Sequence, residues 1–351
     1  MPRCVPRRFR GRGVSEWTAD RAEELAAEVW GVRGRARPLA SERDENFRID
    51  PADGGTPQVL KITHPDEDPA IAAFQSEALV HARTVDPSLP VPSVLPTLSG
   101  AAWHRLDGAR PRIARMVGWL DGSPLADAPV SASFRDALGG LIARLDLALA
   151  GFAGEAPRHD NFVWDLSQAA NLRALLKHVP DGEARAMAAR ALDFFVDEVE
   201  PRLGSLRRQV IHNDMNPHNV LIDRATPQQP SAIIDFGDMV EGPLVNELGI
   251  ALAYQPVGGP DPLAAMADLL GGYARRLPLL PAEIEVLPGL IAARRATTVV
   301  VSSWRAASEP RNSAYLLRNM PGAVAGLSAF ATIGPGAVAA RLAAATGEDR
   351  P

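Results

Sequence analysis

The stretch VIHNDMNPHNVLIDRATPQQPSAIIDFGD, residues 210–238, decides the fold. Two apolar runs within it, 220–222 and 232–234, are short, β-branched and bounded by turn residues, which predicts two strands. Polar side chains stand on the loop that enters the first strand and at the exit of the second: His212, Asp214, Asn219 and Asp235. Such a pair of strands is a rigid frame for a pocket.

The spacing of these polar residues is typical of phosphoryl transfer. Asn219 follows Asp214 by five residues, and Asp235-Phe236-Gly237 comes later, as in the kinase pattern. In that pattern the first Asp accepts the proton of the attacking hydroxyl, and the Asn and the second Asp hold Mg²⁺. We therefore predict Asp214 as the catalytic base and Asn219 and Asp235 as the metal ligands.

The residues around the motif resemble those of one superfamily of small-molecule kinases. His-Asn-Asp at 212–214, in place of His-Arg-Asp, is similar to the aminoglycoside phosphotransferase and choline kinase superfamily. Ser-Glu-Arg-Asp-Glu-Asn-Phe at 41–47 and Trp-Asp-Leu at 164–166 resemble its hydroxylysine kinase branch. The likeness covers roughly residues 30–320. It implies an α+β, bilobal protein-kinase-like fold, with a small antiparallel-sheet N-lobe carrying one key helix and a larger, mainly helical C-lobe.

The chain divides, on this reading, into a tail and two lobes. Residues 1–17 carry five arginines without an apolar run after them, which predicts a disordered basic tail and not a signal peptide. Residues 18–118 form the nucleotide-binding N-lobe, with strand-like runs at 36–40, 46–50, 58–63, 101–105 and 112–116. Residues 119–351 form the C-lobe, with the catalytic loop, the metal site and the substrate pocket.

Lys61 lies on the third of these strands and is predicted to contact the α and β phosphates of the nucleotide. A surface lysine on an alternating strand is the plain alternative. The next helix begins near Pro69, a favourable first-turn residue. We predict that Glu77 on this helix pairs with Lys61, and that Gln75 is a surface or hinge-side residue.

The resemblance implies two further contacts with the nucleotide. The 41–47 segment contains no glycine and takes the place of the glycine-rich loop, so Ser41, Arg43 and Asn46 are expected near the phosphates; a solvated turn is the alternative. Met116 and Gly118 lie at the expected hinge, where backbone groups read the purine edge. A plain interlobe linker explains the same residues.

The acceptor pocket is the least determined part of the site. By resemblance, side chains from two later segments wall it: Trp164, Asp165, Arg294 and Trp304. An arginine among them is suited to clamp a carboxylate. His212 and Glu247 are expected to support the catalytic loop without reacting.

Composition narrows the class of partner. The net charge of −5 gives no basic footprint for nucleic acid, and the single cysteine, Cys4, fits a reducing cytoplasm. The uncharged stretch 320–340 is broken by glycines, so we predict surface loops leading to a last helix, and no membrane span. The oligomeric state stays open.

These observations favour a kinase that uses Mg²⁺ and ATP or GTP on a small-molecule hydroxyl, most simply a hydroxylated amino acid or amino alcohol. Aminoglycosides would need an acidic groove, for which Asp160, Asp165 and Glu241 are candidates. Homoserine, choline and ethanolamine are further alternatives. A pseudokinase would lack one of the motif residues, and a protein kinase would need a long activation segment that this chain lacks.

Overall fold

The computed structural model describes residues 17–41, 44–157, 162–223 and 225–347. Apart from Trp17, the tail predicted for residues 1–17 lies outside the described residues. So do Arg43 of the 41–47 segment and Asp160, the first of the acidic-groove candidates.

An antiparallel sheet of six strands forms the amino-terminal part. The strands are β1 Gly34–Leu39, β2 Glu45–Pro51, β3 Gln58–Ile62, β4 Val94–Leu95, β5 His104–Leu106 and β6 Arg112–Gly118. Their order is β1-β2-β3-β6-β4, and β5 also pairs with β6. Four of the five predicted strands and the turn between β5 and β6 are confirmed, whereas the strand predicted at 101–105 begins only at His104. The two residues of β4 are too few for an alternating pattern to show in the sequence.

The two faces of this sheet have opposite chemistry. Phe47, Leu60 and Met116 are direct partners across β2, β3 and β6, and each is at most 4% exposed. They pack with Trp30 of helix α1 (Ala19–Trp30). Burying side chains of this size contributes about 1.5–3 kcal/mol each. Because successive residues point to opposite faces, Lys61 next to Leu60 points away from this core and towards the C-terminal part of the chain.

Helix α2 (Pro69–Val85) packs across β6 and against the C-terminal helices. Asp68 caps it by accepting from the Ala70 amide, and Pro69 occupies its first turn, so the predicted start is confirmed. The prediction that Gln75 is a surface residue is wrong, since it is 2% exposed.

The C-terminal part is mainly helical. Its α-helices up to residue 308 are α3 Ala132–Leu149, α4 Gly182–Phe194, α5 Val245–Ala253, α6 Ala264–Ala274 and α7 Pro281–Ser308, with the 3-10 segment Leu166–His178. Helices α3 and α6 cross closely: a Cβ on Gly139 would lie 1.9 Å from the Leu269 carbonyl oxygen. Helix α7 is buried on most of its sides and runs through the middle of the others.

Short strands carry the decisive stretch. Strand β9 (Val220–Ile222) pairs antiparallel with β10 (Pro230–Ile233) and with β7 (Ser123–Pro124). Strand β8 (Arg208–Ile211) pairs with β11 (Val240–Pro243). The two predicted strands are confirmed as β9 and β10. Asp214 lies on the loop between β8 and β9, and Asp235 follows β10.

Residues 320–340 differ from the prediction of surface loops. They form all of α9 (Met320–Ile333) and the first half of α10 (Pro335–Thr346). The short helix α8 (Ser313–Leu316) precedes them. Alanine-rich sequence favours helix, and Gly334 at φ 84° confines the break to one residue. No single helix in the described ranges has the length and apolarity to cross a bilayer; α9 and α10 reach them jointly, but with a 101° bend between them.

The boundary at residue 118 remains a proposal. The sheet whose buried side chains form the smaller cluster with α1 ends there with β6, whereas α2 packs in the larger cluster with the C-terminal helices.

Candidate active site

An open cleft of about 290 Å³ lies between the sheet and the helices, and nearly all the predicted motif residues line it. Asp214 lies on the loop between β8 and β9. Its Oδ2 atom accepts from the side-chain amides of Asn216 and Asn219, both at 2.8 Å, and its Oδ1 atom accepts from Arg294 Nη2, also at 2.8 Å. Each carboxylate oxygen therefore has a fixed partner, so the carboxylate is held in one orientation.

The electrostatics of Asp214 are a balance. Burial raises the pKa of the Asp214 carboxyl, and Arg294 is the strongest influence that lowers it; Asp235 acts in the same direction as burial. Arg294 is 1% exposed on α7, and its guanidinium also contacts the Tyr254 hydroxyl and the face of Trp164. Arg294 thus opposes the effect of burial and favours the ionised form of the Asp214 carboxylate, which accepts hydrogen bonds.

His212 and Glu247 lie beneath the loop. His212 Nε2 lies 3.0 Å from the Ile234 carbonyl oxygen, and its Nδ1 accepts from the Asp214 amide, so the ring joins the catalytic loop to the segment before Asp235. Glu247 of α5 accepts from the Asn213 amide at 2.9 Å, and burial raises its pKa. Both side chains are fully buried, as a supporting role requires.

Asn219 and Asp235 are adjacent at the end of the β9–β10 hairpin, where the Ile234 amide donates to the Asn219 carbonyl. Both side-chain N–H groups of Asn219 face Asp214, which leaves its amide oxygen for a ligand. Asp235 has left-handed backbone angles (φ 62°), a strained conformation for a residue other than glycine. An amide and a carboxylate oxygen fit a hard divalent cation that also binds phosphates.

Lys61, Asn46 and Ser41 line the sheet side of the cleft. Lys61 Nζ donates to Asp235 Oδ1 at 3.1 Å, so the predicted phosphate contact and the predicted metal ligand touch.

The predicted ion pair between Lys61 and Glu77 is not formed. Glu77 is exposed and accepts from Trp103 Nε1, whereas Gln75 is buried and donates to the Gly237 carbonyl oxygen at 2.6 Å. The physical reason is helical phase: Glu77 follows Gln75 by two residues and lies about 200° around the helix from it.

The predicted hinge contacts also need correction. Met116 is fully buried in the core on the outer face of the sheet, opposite Leu60. The Gly118 amide donates to the Ser93 carbonyl at 2.8 Å, and the next amide, of Trp119, donates to the Pro57 carbonyl. These two amides therefore already have acceptors within the protein, and a contact of the hinge carbonyl groups with the purine stays a prediction.

Two of the four predicted acceptor residues line the cleft. Trp164 and Arg294 do so, but the described lining includes neither Asp165 nor Trp304. Asp165 instead caps the segment Leu166–His178 by accepting from the Ser167 amide. Trp304 is 6% exposed within the core, because the inward phase of α7 places its neighbour Arg305 on the cleft.

Several lining residues were missed: Arg115, Tyr254, Tyr315 and Arg318. Arg115 had a signal in the sequence, since it is a charged residue within the apolar run of β6, as Lys61 is within β3. The others come from helices whose packing brings together residues far apart in the chain.

Comparison with known proteins gives the same picture. Residues 35–279, well over half of the chain, match the model of the phosphotransferase enzyme family. A hydroxylysine kinase of Mus musculus is 27% identical over 326 residues, covering 86% of each chain.

Solved structures of kinases share the fold. A microcompartment-associated aminopropanol kinase has a TM-score of 0.65 at 21% identity, covering 90% of this chain and 98% of its own. An amicoumacin kinase in complex with AMP-PNP and Ca²⁺ has a TM-score of 0.63 at 15% identity, covering 88% and 93%. The α+β, protein-kinase-like architecture predicted from the sequence is confirmed.

A kinase of this kind takes its phosphoryl group from a nucleotide and needs a divalent metal. The chain belongs to the phosphotransferase enzyme family and is a kinase of small molecules.

Proposed function

We propose that this kinase transfers the γ-phosphoryl group of Mg-ATP or Mg-GTP to the hydroxyl of a hydroxylated amino acid or amino alcohol, with hydroxylysine as the first acceptor to test. The observation that carries the proposal is the Asp214 carboxylate, fixed by Asn216, Asn219 and Arg294 in a cleft that Lys61 also lines. The similarity to a hydroxylysine kinase and an aminopropanol kinase supports the class of acceptor.

The residues divide the work as follows. Lys61 binds the phosphates, and Asn219 and Asp235 hold Mg²⁺. When bound, the metal offsets the charge of the phosphates in the transition state. Asp214 accepts a hydrogen bond from the acceptor hydroxyl, which orients the attacking oxygen and gives its proton a destination.

The side of the cleft formed by helices α7 to α9 favours an acceptor that carries a carboxylate. Among the described residues, helices α7 to α9 and their connections give the lining three arginines and no acidic side chain: Arg294, Arg305 and Arg318. A polycationic aminoglycoside would meet repulsion there. Asp165 and Glu241, proposed above for an acidic groove, line a separate depression next to Arg208.

The test is turnover with Mg-ATP and with Mg-GTP, each against hydroxylysine, homoserine, ethanolamine, choline and kanamycin. Lysine is the matched control, since it lacks the hydroxyl. We expect nucleoside diphosphate release with hydroxylysine and none above background with lysine. Turnover with kanamycin alone would contradict the acceptor class, and absence of Mg-nucleotide binding would contradict the function as a whole.

The cellular location of the protein is part of the same proposal. The single cysteine and the soluble nucleotide donor favour the cytoplasm, and we propose no nucleic-acid or membrane partner.

A further inference from the structure

A row of three polar side chains crosses the cleft-facing side of the sheet. Asn46 of β2, Lys61 of β3 and Arg115 of β6 are direct partners in the strand registers. The rows next to them differ: Arg48, Val59 and Val117 on the same face, and Phe47, Leu60 and Met116 on the other.

Lys61 and Arg115 are like charges placed directly opposite each other on an antiparallel pair. Side chains in this relation have Cβ atoms about 4.5–5.5 Å apart, and like charges there destabilise the sheet. Lys61 is offset by Asp235, but in the part of the chain that the structure describes no carboxylate lies within ion-pair distance of Arg115.

Arg115 is also poorly satisfied for a buried group. It is 5% exposed, and among the described residues its one hydrogen bond is to the Ala72 carbonyl oxygen at 3.4 Å and its Nε atom has no acceptor. At the other end of the row the buried Asn46 Oδ1 atom has no donor within the described part of the chain. A buried guanidinium without an anion is expensive, and buried polar atoms are normally hydrogen-bonded. Both residues line the cleft, so a ligand is able to reach them.

We propose that Arg115 is a second phosphate-binding cation, which acts beside Lys61 on the nucleotide. The phosphates supply the anion that Arg115 lacks, and Arg115 donates from its terminal nitrogens to phosphate oxygens. This binding role rests on the proposed function, because it requires a nucleoside polyphosphate in this cleft.

The test is the dependence of affinity on the number of phosphates. Dissociation constants are measured with Mg²⁺ for nucleoside, mono-, di- and triphosphate of adenine and of guanine. For Arg115→Gln we expect di- and triphosphate binding to weaken about ten- to hundredfold, the loss of a charged hydrogen bond, with nucleoside binding unchanged. Arg115→Lys keeps a point charge but loses the fork, so we expect a smaller loss of about three- to tenfold, which remains measurable if the Gln variant fails to fold.

Arg112→Gln is the matched control. Arg112 lies on the same strand, is similarly buried with 6% of its surface exposed, and pairs with Glu45 on the outer face of the sheet. We expect it to lower the melting temperature without altering the phosphate dependence.

An equal loss for nucleoside and triphosphate would overturn the proposal and make Arg115 a strut between the sheet and α2. So would unchanged triphosphate binding in both Arg115 variants. Wild-type protein that binds none of the nucleotides would instead remove the proposed function itself.

Discussion

Replacing Arg294 by Met removes the side chain that holds one oxygen of Asp214. The lost contact is a hydrogen bond between charged groups at 2.8 Å, with Arg294 buried and Asp214 partly buried. Such bonds are worth about 1.5–3 kcal/mol. If that energy aligns the carboxylate for the acceptor hydroxyl, kcat falls about ten- to hundredfold.

The pH profile gives a second signature of Arg294. Burial raises the pKa of Asp214 and Arg294 lowers it, so without Arg294 the pKa rises further and Asp214 is protonated at higher pH. The acidic limb of kcat therefore moves to higher pH, measured between pH 5 and 9 with saturating nucleotide and acceptor.

Arg295→Met is the control for this change. Arg295 is adjacent and also 1% exposed, but it donates to the carbonyl oxygens of Ala253 and Gln255 and not to Asp214. We expect a lower melting temperature and an acidic limb where the wild type has it. An Arg294→Met enzyme with wild-type kcat and an unmoved limb would refute the reasoning.

Three other outcomes are expected. Glu77→Gln leaves the KM for nucleotide within about twofold, because Glu77 is exposed and Lys61 pairs with Asp235. A rise in KM of about tenfold would instead support the ion pair between Glu77 and Lys61 that the sequence predicted. Asp146→Asn raises the free energy of unfolding, and the gain grows as pH rises above about 4. Burial raises the folded-state pKa of Asp146 well above 3.8, so the wild type loses stability over that range and the Asn variant does not. Denaturant titrations of both proteins at pH 5 and 8 check this, and an equal change in the two proteins would contradict it. Gly139→Ala lowers the melting temperature by several degrees, since its Cβ would overlap the Leu269 carbonyl, and an unchanged melting temperature would contradict that close crossing.

The catalytic stretch could be predicted because its information is local. The steps between Asp214, Asn219 and Asp235 are fixed by one loop and one hairpin, so the order of residue types is enough to place them in one pocket. The strands of the sheet were predictable for the same reason, since alternation shows directly in the sequence.

The failures come from phase and from distance along the chain. Glu77 and Gln75 differ by two residues, and nothing in the residue types says which one faces the cleft. Arg294 is 80 residues from Asp214, and its role depends on how α7 packs. The sequence prediction therefore listed Arg294 for the acceptor and missed its contact with Asp214.

Residues 320–340 show the opposite case, in which local propensity was underused. Glycine was read as a helix breaker throughout, yet Gly326 lies inside α9, where the guanidinium of Arg295 occupies the space that a Cβ would need. A glycine in a helix costs about 1 kcal/mol against alanine, which close packing offsets.

The central claim, that Asp214 is the base of a small-molecule kinase, is tested most directly by Asp214→Asn. Turnover and the dissociation constant for Mg-nucleotide are measured on the same preparation. We predict that turnover with the best acceptor falls by at least ~10²-fold, the scale of a lost positioned proton acceptor, while the dissociation constant stays within about twofold. Near wild-type turnover in Asp214→Asn would contradict the account.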